Sequence, residues 1–265
     1  MRQQEYPPDE RHVRFGLYVA ANGIDELRSI WSYADDAGFD YLWVDGKLAN
    51  SGSANLHPIL LAAAIATSTS RMHIGCRLNA SDLDAEAMAA CRTLQALSSG
   101  RLEICIRRGD TEFGDAGWKS GGQLDERGQI QLAHDRIVSL TEWDIRQAPS
   151  IIGQSLRRPV IWASGDKISV RLAAKHCDVW LCDPAANGNL DLLLKALDED
   201  CRAFGRRPRD VRRGVQLPLG TESSMGQRIE SMIRFGINEL LVRVNDVAGA
   251  RLVRKSLHSR LNWHN

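Results

Sequence analysis

Short apolar runs alternate with longer amphipathic ones from one end of the chain to the other. The first run, Val13 to Val19, precedes Ile24, Leu27, Trp31 and Ala34, which recur at the spacing of one helix face. Asn22 is placed to cap that helix, and Gly38 to end it in the left-handed conformation that side chains resist. Phe39 to Val44 is the second run. His57-Pro58 then opens a helix, because the first helical position has no amide bond for proline to lose. Met72 to Cys76 and Arg101 to Ile106 predict strands three and four. Between them, Ser81 and Asp84 have capping-box spacing ahead of Met88, Cys91, Gln95 and Ser98. A stretch rich in Gly and Asp, Gly109 to Gly122, leads to a helix around Ile130 to Trp143.

The second half repeats the rhythm. Strands are predicted at Pro159 to Ala163, Asp178 to Cys182, Gly214 to Leu219 and Glu239 to Val244. The intervening helices run through Leu172, then carry Leu190, Leu193, Leu194, Leu197, Cys201 and Phe204 on one face, then Ile229, Met232 and Ile233. A last helix spans Ala248 to His258. Strands apolar on both faces, each followed by a helix, predict a parallel sheet sheathed by helices. Eight such units fit a closed (β/α)8 TIM barrel of the α/β class better than an open sheet. No glycine-rich phosphate loop follows the first strand, which removes the main sign of a doubly wound dinucleotide fold. Residues 1–12 read as a polar tail and residues 13–265 as one barrel domain.

Composition narrows the function classes. The 34 basic and 33 acidic residues give a net charge of +1 and form no basic stripe, which argues against a nucleic-acid partner. No apolar run is long enough to span a bilayer, and MRQQEYPPDERH lacks the apolar core of a secretory signal. A cytoplasmic protein without a membrane partner is expected. Six scattered cysteines, none at CxxC spacing, read as small buried apolar side chains. His73 and His176 read as surface or packing positions, and no metal site is expected because no histidine and carboxylate group has ligand spacing.

Four segments carry a resemblance: AGFDYLWVD, HPILLAAAIATSTSRMHIG, LQALSSGRLEI and RPVIWASGDKISVRLAAKHCDVWL. With DEDCRAFGRRPRDV and FGINELLVRV they resemble, in order and spacing, the luciferase-like flavin-dependent oxidoreductases from about Arg14 to Val244. The resemblance implies a barrel, commonly a homodimer, that binds FMN or a deazaflavin (coenzyme F-420) at the C-terminal ends of its strands. It implies monooxygenation or hydride transfer on a small-molecule substrate, with a flavin reductase as a partner of some members. Two departures stand out. After strand two, where many members carry an acidic residue and a histidine, this chain reads Asp45-Gly46-Lys47, with Lys47 or nothing at the histidine position, and after strand four the small glycine turn reads Arg107-Arg108-Gly109-Asp110.

Residues just past the strand ends form the site in such barrels. Lys47 and Asp45 are the candidate catalytic pair. Gly75, Cys76, Arg107, Arg108, Ser164 and Gly165 are the candidate cofactor residues: the first two where the resemblance puts a backbone bulge under the flavin ring, the last two where it puts a flavin phosphate. Ser164-Gly165-Asp166 otherwise makes a plain helix cap. Asn22, Arg77, Asn79, Asp110, Asp183 and Arg243 are candidates for substrate. The arginines suit a carboxylate or phosphate, or else pair with Asp110, Asp183 or Asp246 at the rim. Alternatives to a flavin enzyme are a barrel that binds flavin or another anion without redox turnover, and a repurposed enzyme with no flavin.

Overall fold

The computed structural model describes residues 13–20, 23–44, 56–107, 125–142, 158–184 and 189–261. Eight parallel strands close in sequence order, with the last paired to the first. They are β1 (Arg14–Val19), β2 (Tyr41–Val44), β3 (His73–Asn79), β4 (Leu102–Arg107), β5 (Val160–Ser164), β6 (Val179–Cys182), β7 (Arg212–Pro218) and β8 (Glu239–Val244). The sheathing helices are α1 (Ile24–Ala37), α2 (Pro58–Ser68), α3 (Ala85–Leu97), α4 (Glu126–Thr141), α5 (Lys167–His176), α6 (Leu190–Ala203), α7 (Glu222–Arg234) and α8 (Val247–Leu261). The barrel expected from the pattern is the barrel observed. Strands β3 and β4 run further than the periodicity showed, so Arg77, Asn79 and Arg107 lie within strands, while β7 starts and ends earlier.

Strand alternation sorts the core into two clusters. Outward residues such as Leu17, Leu42, Ile74, Ile104, Ile161 and Leu240 pack under the helices. Inward residues, chiefly Tyr18, Tyr41, Trp43, Cys105, Trp162 and Leu241, fill the barrel. Space for two large rings is made by glycine. A Cβ on Gly16 would lie 2.0 Å from the Tyr41 ring, and one on Gly75 would lie 2.0 Å from the Trp43 ring. Trp43 and Trp162 meet edge to face at 4.9 Å, a contact that contributes about 0.5–1.5 kcal/mol beyond the area it buries.

The N-terminal ends of the strands, the barrel floor, are latched by side chains. Asp40, just before β2, accepts the Phe15 amide of β1 at 2.7 Å. Asp178, before β6, accepts the Ile161 amide of β5 at 2.9 Å, and Asn238, before β8, accepts the Arg213 amide of β7 at 2.9 Å. Arginines close the helix ends. Arg101 donates to the carbonyls of Ala66, Thr69 and Met72 past α2, and Arg206 to those of Ala173, Ala174 and Cys177 at the end of α5. Several of these carbonyls lie in the last turn or at the cap of a helix, where intrahelical donors run out.

Local signals held in part. Gly38 has φ 82° and ends α1 as expected; His57 caps α2 by accepting the Ile59 amide at Nδ1, with Pro58 behind it. The Ser81–Asp84 capping box is not formed. Ala80–Asp82 is a 3-10 turn, and Asp84 itself caps α3 by accepting the Ala87 amide at 2.9 Å. Asn22 lies outside the described residues, and the cap position of α1 is Gly23.

Candidate functional site

At the C-terminal mouth a polar layer lies directly above the aromatic interior. Arg77 on β3 donates through Nη2 to Gln216 Oε1 on β7 at 2.8 Å. In an eight-stranded barrel β3 and β7 are diametrically opposite, so this bond crosses the mouth. Gln216 Nε2 in turn lies 3.5 Å from Asp183 Oδ2 at the end of β6. The guanidinium stands 4.7 Å from the centre of the Tyr18 ring. Register puts Tyr18 level with Trp43 and Gly75, one inward layer beneath Arg77. Ser164 and Arg77 both hydrogen-bond the buried Cys105 thiol, whose pKa burial pushes up.

The expected site residues fall into three groups. Arg77, Asp183, Ser164 and Arg107 come together around the mouth, with Arg243 exposed on β8 beside Tyr18 and Pro218. Asn79 is engaged locally, donating to Asp82 at 2.8 Å. Lys47, Asp45, Arg108, Asp110 and Asn22 lie outside the described residues.

Two expectations are corrected. Cys76 is fully buried among the outward core, because alternation turns it from the barrel toward the helices, so its thiol does not face the mouth. Gly75 does leave room, but the protein's own Trp43 indole fills it.

At Ser164-Gly165-Asp166 the Asp166 carboxylate accepts the amides of Ile168 and Ser169, and the Gly165 amide donates to Leu181. The helix start is thus capped by its own aspartate. Ser164 keeps its place at a strand end with its hydroxyl toward Cys105. Asp246 likewise caps α8 by accepting the Gly249 amide at 2.7 Å. Gln216 and Tyr18 were missed by sequence reasoning. The available signal was a lone amide inside the apolar run GVQLPL.

The floor holds a second charged cluster. Glu103 and Glu239 are fully buried, and Arg14 bridges them. Arg212 Nε lies 2.7 Å from Glu239, Trp162 Nε1 donates to Glu103 at 2.8 Å, and His73 Nδ1 lies 3.0 Å from Glu103. Burial works against the Glu103 charge, yet Arg14 and then His73 hold its carboxyl well below the usual range. Burial raises Glu239, and the Glu103 charge adds to it against Arg14 and Arg212, leaving it at about 8. His73 is therefore part of an ionic layer and not only a packing residue. Its signal was a carboxylate in each of two strand runs, RLEICI and ELLVRV.

A closed parallel barrel with a polar layer at the C-terminal ends of its strands defines the class, a (β/α)8 barrel. The luciferase-like monooxygenase profile matches residues 11–235, and the chain belongs to that family. Among solved structures, the monooxygenase RslO1 from Streptomyces bottropensis is similar at 15% identity and TM-score 0.72, over 95% of this chain and 99% of that one. The coenzyme F-420 dependent tetrahydromethanopterin reductase from Methanopyrus kandleri is similar at 15% identity and TM-score 0.57, over 86% and 77%. The riboflavin lyase RcaE, solved with modified FMN and riboflavin, has TM-score 0.62 at 14% identity, over 83% of this chain and 66% of that one. At these identities the likeness shows the fold alone. No curated protein matches the sequence. Among the described residues no helix is long and apolar enough to cross a membrane, and no group of three His, Cys, Asp or Glu is placed to hold a metal.

Proposed function

We propose that this protein is a flavin-dependent oxidoreductase of the monooxygenase type, acting at the barrel mouth on a small, anion-bearing organic substrate. The observation that carries the reading is the Arg77–Gln216–Asp183 bridge, a charged layer set across the mouth of a family barrel. The residues present fit a flavin with one restriction. Tyr41, Trp43 and Trp162 fill the interior and Trp43 occupies the room at Gly75, so a flavin would be held by the residues of the mouth. Arg107 and Ser164, at adjacent strand ends, offer a guanidinium and a hydroxyl to a phosphate. FMN is the proposed cofactor and a deazaflavin the alternative, in line with the flavin and deazaflavin named for two of the similar structures.

A bound flavin would supply the redox chemistry, and the protein's part is to bind, orient and exclude water. In this reading Arg77 and Arg243 meet the substrate anion, and Lys47 with Asp45 supplies the acid–base pair after β2. Arg108 is assigned to the cofactor, and Asn22, Asn79 and Asp110 to the substrate. A reductase partner and a symmetric homodimer belong to the same proposal.

Titrating FMN while following its fluorescence tests the cofactor. Saturable quenching is expected, weakened about tenfold by Arg107→Ala. Trp43 occupying the room at Gly75 favours one rival, a barrel that works without flavin. No binding of either FMN or a deazaflavin at tens of micromolar, with the barrel folded, would support that rival.

A further inference from the structure

At the floor, opposite the mouth, a cavity of about 610 Å³ opens between the end of α1, the starts of β1 and β3, and α8. That volume suits a small metabolite. Its walls carry Arg14, Arg71, His73 and Arg254 against Asp35, Asp36 and Asp40, so formal charge alone does not assign a ligand. Hydrogen bonding does. Asp35 is engaged by three backbone amides, those of Ser70, Arg71 and Met72 at 3.0, 3.2 and 3.0 Å. Asp40 accepts the Phe15 amide, and Asp36, exposed on α1, is the one carboxylate of the wall without a hydrogen bond or ion pair among the described residues.

The donors are engaged differently. Arg14 is held by Glu103 and Glu239. Arg71 donates through Nη2 only to a carbonyl, that of Asp35, at 2.9 Å, and Arg254 has no hydrogen bond or ion pair among the described residues. His73 turns Nδ1 to the buried Glu103, so the rest of its ring, with Nε2, lies at the 40% exposed side that lines the cavity. A carboxylate behind an imidazole fixes its orientation. Two of the three wall carboxylates are engaged by backbone amides, while the two guanidiniums keep donors free, so donors outnumber acceptors in the cavity.

We propose that this floor cavity is a second binding site, distinct from the mouth, that takes a small oxyanion (a phosphate or a carboxylate) on Arg71 and Arg254. Two guanidinium forks match the geometry of such groups. The proposal does not rest on flavin chemistry at the mouth.

Calorimetric titration at constant ionic strength, with inorganic phosphate in one arm and citrate in the other, tests it. Thermal shifts alone would not, because both ions stabilise folded proteins by exclusion. Saturable heat in either arm is expected, and the arm that binds more tightly tells phosphate from carboxylate. The double variant R71A/R254A, altered only at exposed positions, should weaken binding about tenfold. R107A/R243A, at the mouth, should leave it unchanged. No saturable heat in either arm, or affinity retained by R71A/R254A, or affinity lost only in R107A/R243A, overturns the proposal.

Discussion

Glu239 is a buried carboxyl at the start of β8 whose pKa rises from its usual 4.5 to about 8 in the fold, chiefly through burial. A raised pKa means the folded state holds the proton more tightly, so this contribution to stability is full below about pH 4.5. It is lost as pH climbs through about 8. Glu103 shifts the other way under Arg14, so its contribution is full above its usual value and is lost as pH falls below it. Glu239→Gln, which keeps the shape and cannot ionise, is therefore expected to flatten the alkaline limb. Denaturant midpoints at about pH 6 and about pH 9 should fall for the wild type and stay nearly level for the variant. An equal fall in both would remove Glu239 from the cause. Both glutamates were visible in the sequence as charges within apolar strand runs. What the sequence did not show is that strand register brings them to one guanidinium.

Elements were the most legible scale, because their signals are local. Gly38 and His57-Pro58 mark true boundaries, since left-handed backbone and a missing amide act within one turn of chain. The error at α3 has the same origin. Ser81 and Asp84 both carry capping oxygens, and the sequence does not decide which of two nearby caps the chain adopts. In the fold Leu83 is fully buried after a 3-10 turn, and that anchor places Asp84 at the cap. Asp84→Ala is expected to cost about 1 kcal/mol in chemical denaturation, and Ser81→Ala close to nothing. The reverse order would restore the capping box.

For the whole molecule, two exposed leucines stand on neighbouring helices, Leu60 on α2 at 70% exposure and Leu97 at the end of α3 at 52%. Alanines surround Leu60 in the run PILLAAAIATS, so the outer face of α2 is nearly free of charge. This face is the natural seat for the proposed homodimer, since burying it returns apolar area to a dry environment. Light scattering should give twice the chain mass for the wild type, and Leu60→Glu should shift it toward the monomer. A monomeric wild type at high concentration would dismiss the dimer.

The sequence by itself determined the barrel. Eight alternations of short apolar and amphipathic runs leave little choice once each strand must be covered on both faces. It also marked the strand ends that hold Arg77, Arg107, Ser164 and Asp183. Only the tertiary structure decided which of these meet. Cys76 and Arg77 are neighbours in the chain, yet strand alternation sends one into the outer core and the other to the mouth. Gln216, an unremarked amide 139 positions from Arg77, becomes its partner because closure sets β7 opposite β3. Gly75 proved to be the space for a tryptophan of the adjacent strand. Such pairings depend on register and closure, which no local window of sequence contains.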